Sequence, residues 1–156
     1  MRRAALTTMA LALTVALAAA VAAWAEGGHH GKGGGKVLTV IEHATTDVTT
    51  DTGAADDSVG DILTFANEVF DRTDARKVGT DQGYCIRVVA GTSYECNWTT
   101  ILAGGQITVE GPFLDAGDST LAVTGGTGRY RNVGGFMKLH GLENGTKFRF
   151  EFHLTG

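Results

Sequence analysis

The sequence predicts an all-β fold, with short strands folding back on one another into a closed barrel or a sandwich. Three observations predict it. Apolar residues recur at alternate positions, most clearly in the tail, where Phe148, Phe150, Phe152 and Leu154 alternate with Lys147, Arg149, Glu151 and His153. Such alternation puts one set of side chains on each face of a strand. Turn residues separate the runs at strand-sized intervals: Gly is abundant, with 23 copies, and Pro112 is the only proline, as suits many tight turns. No segment shows a helical period with caps.

The stretch Leu121-Ala-Val-Thr-Gly-Gly-Thr-Gly-Arg-Tyr-Arg-Asn-Val-Gly-Gly135 tests that reading. Apolar residues followed by a glycine cluster also open a dinucleotide-binding fold. That fingerprint from Gly126 needs a third glycine at position 131, which is Arg131. It also needs a following helix and an acidic residue about 20 positions on. Val133-Gly-Gly135 follows instead, and paired glycines oppose a helix. The stretch reads as strand, turn and strand.

Residues 1–25 read as a secretory signal peptide. Arg2 and Arg3 supply the positive start, Ala10 to Ala23 an apolar run, and Ala23-Trp-Ala25 a small-x-small cleavage site. The competing reading is a membrane anchor; the run is short and rich in weakly apolar Ala, which favours cleavage and export to the periplasm or the extracellular space. Removing 25 of 156 residues leaves 131, enough for one domain with a real core. Two of the thirteen basic residues go with the leader, so eleven face seventeen acidic ones, a net charge of −6. That balance opposes nucleic acid and anionic membranes as partners. Residues 26–36 (EGGHHGKGGGK) form a Gly/His-rich linker by composition. His29-His30 has no ordered ligands nearby, and no spacing in the chain marks a metal site.

The domain from 37 to 156 carries the strands. Lys36 to His43 puts Leu38, Val40 and Glu42 on one face and Val37, Thr39 and Ile41 on the other. Ala44 to Gly60 is polar and rich in Thr and Asp, and reads as a long loop, a common place for a functional rim. Asp61 to Phe70 alternates, with Leu63, Phe65, Asn67 and Val69 on a shared face. Asp71 to Gln82 reads as a charged connection. Tyr84 to Val89 and Thr92 to Leu102 read as a hairpin. A two-residue turn at Ala90-Gly91 sets Cys85 opposite Cys96, on the same face and within disulfide reach. In an exported protein that pair forms a bridge worth roughly 2–3 kcal/mol; the alternative is two free thiols. Gln106 to Glu110, Leu121 to Thr124, Val133 to Leu142 and Lys147 to Leu154 complete the strands, the last two joined by the turn Asn144-Gly145.

Two residues draw chemical interest. If the Leu38 face of the first strand points inward, Glu42 puts a carboxylate in an apolar cavity, where burial raises its pKa and fits it for proton transfer or for stabilising positive charge. The alternative is a solvated position at a frayed strand end. Asn67 is a polar residue on an apolar face, and a buried amide needs partners: backbone, water or ligand. No Ser, His and Asp arrangement stands out.

Gly60-Asp-Ile-Leu-Thr-Phe-Ala-Asn67, Gly83-Tyr-Cys85, Val109-Glu-Gly-Pro-Phe-Leu114, Leu121 to Gly128 and Lys147 to Gly156 resemble the allene oxide cyclase family, which shares its barrel with the dirigent proteins. The resemblance runs in order from Val37 to Gly156. It implies an eight-stranded antiparallel β-barrel with a cavity that holds a small apolar molecule. In plant members the cavity takes an unstable fatty-acid epoxide and steers it to a cyclopentenone, an isomerase-type cyclisation without a cofactor. By resemblance, the charge-stabilising glutamate falls on Glu42, the water-holding asparagine on Asn67, a cavity aromatic on Phe65 and a pocket cysteine on Cys85. Phe113 stands where the family has a pocket tyrosine, losing a hydroxyl. Ala44 stands where a second water-holding asparagine is expected, and the Ser-Pro of the following loop is absent. These departures leave two readings, a cyclase-like enzyme and a non-catalytic dirigent-like guide or carrier, with a purely structural envelope protein as a third. The resemblance also implies self-association as a dimer or trimer.

Overall fold

The computed structural model describes residues 35–156. The leader at 1–25 and all but the last two residues of the linker at 26–36 lie outside the described residues. Ten strands follow: β1 (Lys36–His43), β2 (Val48–Thr50), β3 (Ile62–Phe65), β4 (Glu68–Asp71), β5 (Lys77–Val89), β6 (Ser93–Leu102), β7 (Gly105–Leu114), β8 (Ser119–Gly126), β9 (Gly134–Leu142) and β10 (Lys147–Thr155). They form one sheet, and pairing of β5 with β6 closes it into a ring.

Around the ring the order is β1, β4, β5, β6, β7, β8, β9, β10 and back to β1, every pair antiparallel. This is a closed eight-stranded antiparallel β-barrel, which leaves no long free edge. β3 and β4 act as two halves of one stave, since both pair with β5. The stave is interrupted at Ala66 and Asn67, yet the backbone of Asn67 still exchanges two hydrogen bonds with Asp81, each 3.0 Å. β2 pairs only with β3 and lies outside the ring as a flap.

The alternation read from the sequence decides which residues face inward. Phe150, Phe152 and Leu154 of β10 are buried, as are Val40 of β1 and Val69 of β4. With Ile107, Val109, Leu121 and Met137 they make a continuous core inside the barrel. Burial of such side chains contributes roughly 1.5–3 kcal/mol each, and this is what holds the ring closed.

Three local readings change. Residues 77–82, read as part of a charged connection, are the first half of β5; Gly79, Asp81 and Gly83 on one face gave no apolar period to detect. The loop at 44–60 contains β2. The turn after β5 spans Ala90 to Thr92, because Val89 pairs with Ser93. A bulge between Arg87 and Val89 absorbs the extra residue, so Cys85 still pairs with Cys96. The glycine-rich stretch at 121–135 is β8, a single 3-10 turn at Gly128–Tyr130, and β9. Gly128 has φ 59, and a Cβ there would run into the backbone of Gly104. The glycines serve turn packing, not phosphate binding.

Candidate functional site

One end of the barrel holds a cavity. Its wall is mostly aromatic: Phe65 from β3, Trp98 from β6, Phe113 from β7, and Phe148 and Phe150 from β10, with Leu63, Leu139 and Cys85 between them. The rings touch in sequence. Phe65 meets Trp98 edge-on at 6.0 Å between centroids, Trp98 meets Phe150 at 5.6 Å, and Phe113 meets Phe148 at 5.8 Å. The cavity is about 40 Å³ and is open to solvent on one side. Trp98 lies close because Gly83, its partner on β5, has no side chain; a Cβ there would overlap Trp98 and the Asn97 carbonyl.

The polar part of the wall is acidic. Glu42 is 5% exposed and lines the cavity beside Asp47. β1 places it inward because Leu38, Val40 and Glu42 share the barrel's inner face, with Phe148 and Val69 as cross-strand partners. Asn67 sits behind it. One Nδ2 hydrogen goes to Glu42 Oε1 and the other to Asp47 Oδ1, both at 2.8 Å. Its Oδ1 accepts from the backbone N–H groups of Thr45 and Thr46, each at 3.0 Å, and from the Thr46 hydroxyl at 2.9 Å. Asn67 therefore ties the segment after β1 across the broken stave.

Asp81 of β5 completes the group. Its two carboxyl oxygens are buried and meet no N–H or hydroxyl donor among the described residues. Their polar neighbour is the Glu42 carboxyl. Two carboxyls can hydrogen-bond only if one keeps its proton. Burial pushes Glu42 up from 4.5 to about 7, opposed by the Asn67 hydrogen bond and assisted by Asp47. Burial first, then the nearby Glu42 charge, pushes Asp81 up to about 9. At neutral pH the pair holds a proton with Asp81, and Glu42 is poised between its two forms. Among the described residues no group of three His, Cys, Asp or Glu is arranged to hold a metal.

The rim is strapped down by Arg87, which is 7% exposed and lies beyond Cys85 on β5. Its Nη1 donates to both oxygens of Asp115 at 2.7 Å, its Nε lies 2.6 Å from Asp57 Oδ1, and its guanidinium stacks 3.6 Å over the Tyr94 ring. Asp61 holds the same loop from within: its carboxylate accepts from the N–H groups of Ser58 at 2.7 Å and Thr52 at 3.0 Å, which hold its pKa below the usual value.

Of the residues singled out from the sequence, Glu42, Phe65, Cys85 and Phe113 line the cavity, and Asn67 contacts Glu42. Cys85 is bridged to Cys96, so its sulfur faces the cavity as a disulfide. Three neighbours were missed. Asp81 and Trp98 share strand parity with Cys85 and Cys96, and that phase places both inside the barrel. Asp47 lies in a loop, where periodicity says nothing.

Comparison with known proteins now bears on this geometry. The sequence pattern of the family described as Allene oxide cyclase matches residues 41–156. A pyocyanin demethylase structure is 27% identical with TM-score 0.67, covering 77% of this chain and all of its own. The exo-specific intermolecular Diels-Alderase AbnU superposes with TM-score 0.65 at 18% identity, over 80% of this chain and 100% of that one. The pterocarpan synthase dirigent protein PsPTS1 superposes with TM-score 0.63 at 15% identity, over 78% of this chain and 97% of that one. The last two share the barrel fold. The match over residues 41–156, nearly the whole barrel, makes this chain a member of the allene oxide cyclase family.

Proposed function

We propose that the barrel takes a small, apolar, reactive molecule into the aromatic cavity and steers its cyclisation, with Glu42 stabilising positive charge on the ligand. One observation carries this reading: a carboxyl 5% exposed, set in an aromatic wall, with no basic side chain among the cavity's lining residues. In an epoxide ring-opening the C–O bond lengthens, positive charge spreads over the carbon framework, and a new C–C bond closes the ring with no atom gained or lost. A fixed carboxylate in low dielectric stabilises that charge better than reorienting water. The wall holds the chain in one folded conformer, which biases the stereochemistry. The neighbours named as demethylase, dirigent proteins and Diels-Alderase support a cavity that handles small molecules.

The test supplies a freshly generated allene oxide and measures the enantiomeric composition of the cyclopentenone. Wild type gives one enantiomer in excess, and Glu42→Gln loses the acceleration by roughly a hundredfold, typical of one electrostatic contact. A racemic product equal to that in buffer rejects the cyclase reading for this substrate.

The second reading is a dirigent-like guide or carrier. It is favoured by Asn67, whose two amide hydrogens are both committed to carboxylates, leaving none for a water on the ligand. Mass spectrometry of the purified protein then finds an apolar small molecule co-purifying while no substrate is turned over. Export through residues 1–25 belongs to either reading; N-terminal sequencing of the mature protein should begin at Glu26.

A further inference from the structure

We infer that the cavity selects flat aromatic cations over neutral molecules of the same shape. The inference rests on the proposed role of Glu42 as an inward carboxyl in a ligand cavity, and names the ligand class that such a cavity holds best. A permanent positive charge on a flat ring mimics the charge that Glu42 would otherwise meet only in passing, and groups complementary to a transition state bind its mimics more tightly than neutral ligands.

Three observations point to a cation. The charged residues in the wall, Glu42 and Asp47, are both acidic. The bases nearby are spoken for: Arg87 holds Asp57 and Asp115, while His43 and Lys147 both hold Asp74. The rest of the wall is aromatic faces, and Trp98, Phe65 and Phe113 offer the negative π-surfaces that attract cations.

A second, independent feature marks the cavity as made for a ligand. The Trp98 indole N–H is buried, with the residue 2% exposed, and has no acceptor. Asp81, 1% exposed, has the Glu42 carboxyl as its side-chain partner. Buried polar atoms in native proteins are almost always paired, so the Trp98 N–H stands out as the group that lacks its partner. A flat cation with a ring oxygen supplies it: its charge lies toward the Glu42 and Asp47 carboxyls that line the cavity, and its oxygen accepts from Trp98.

Entry of a cation displaces the proton that holds the carboxyls. Titratable groups facing Glu42 are Asp47 from the loop after β1 and Asp81 from β5; β4 and β10 present Val69 and Phe148 beside it. Binding therefore strengthens as pH rises through neutrality and releases protons.

Equilibrium dialysis of the full-length protein against N-methylquinolinium and, separately, its neutral isostere 1-methylnaphthalene tests this. At pH 8 the cation should bind roughly tenfold or more tightly than the hydrocarbon. That preference should shrink at pH 5, and in Glu42→Gln at pH 8. Equal or tighter binding of 1-methylnaphthalene overturns the inference and leaves the apolar cavity standing. Binding of the cation that ignores pH and the Glu42→Gln substitution puts it on the acidic exterior, and also overturns it. Binding of neither probe removes the ligand cavity itself.

Discussion

Among single residues, Asn67 does the most to shape the mouth of the barrel. It holds Glu42 and Asp47 with its two hydrogens and the Thr45–Thr46 backbone with its oxygen. Asn67→Ala strands two backbone N–H groups and leaves two carboxyls facing each other. Unpaired buried groups cost about 1–3 kcal/mol each and part-buried ones less, so the unfolding free energy from urea denaturation should fall by roughly 2–4 kcal/mol; a fall below about 0.5 kcal/mol would mean that the clamp is decorative. The carboxyls set a pH dependence of known sign. Glu42 and Asp81 are raised in the folded state, so the folded form binds more protons than the unfolded one between the ordinary carboxylate range and about 7 for Glu42 or about 9 for Asp81. Their contribution is fully present below the unfolded values and is lost as pH rises. Asp61, Asp71 and Asp74 are lowered and act oppositely, losing stability only in acid. Thermal melts should show wild type losing stability from pH 5 to pH 8, and Asp81→Asn should remove roughly 1–3 kcal/mol of that loss. An unchanged slope in the variant would place Asp81 in contact with water.

Among elements, the β5–β6 hairpin is the hub. It carries the disulfide, the bulge, Trp98, Asp81 and Arg87, and it closes the ring. Ten paired positions fix its register, so replacing both cysteines with serine keeps the pairing. It costs roughly 3 kcal/mol through the freed eleven-residue loop, measured by denaturant unfolding of oxidised wild type against the variant. Arg87 ties the hairpin to the loop between β2 and β3. Asp57 and Asp115 are partly exposed, at 41% and 27%, so Arg87→Met costs less than loss of a fully buried pair, about 1–3 kcal/mol. Its sharper signature is faster proteolytic cleavage within residues 51–60; unchanged cleavage would show that Asp61 and the Gly91 N–H bond to Asp57 hold the loop without Arg87.

For the molecule as a whole, the strands that were legible are those whose inner face is apolar throughout. β10, with Phe148, Phe150, Phe152 and Leu154, and β1, with Leu38 and Val40, announced themselves by period. The first half of β5 did not, because its inward positions are Gly79, Asp81 and Gly83: small or acidic residues that make room for Trp98 and for the Glu42 cluster. The same cause hid part of the site. Glu42 was visible as a charged residue in phase with apolar ones, whereas Asp81 sat in a segment with no phase to read. Which way the first strand faced needed the closed ring, and so did the meeting of β1 with β5 residues across the broken stave at Asn67.

The central claim is that Glu42 is an inward carboxyl in a low-dielectric aromatic cavity. Carbon-13 NMR titration of side-chain carboxyls in wild type and in Glu42→Gln tests it most directly. The account predicts one glutamate carboxyl titrating near pH 7, absent from the Gln variant. If every glutamate of the wild-type protein titrates near 4.5, Glu42 faces water and no glutamate is held in a low-dielectric cavity.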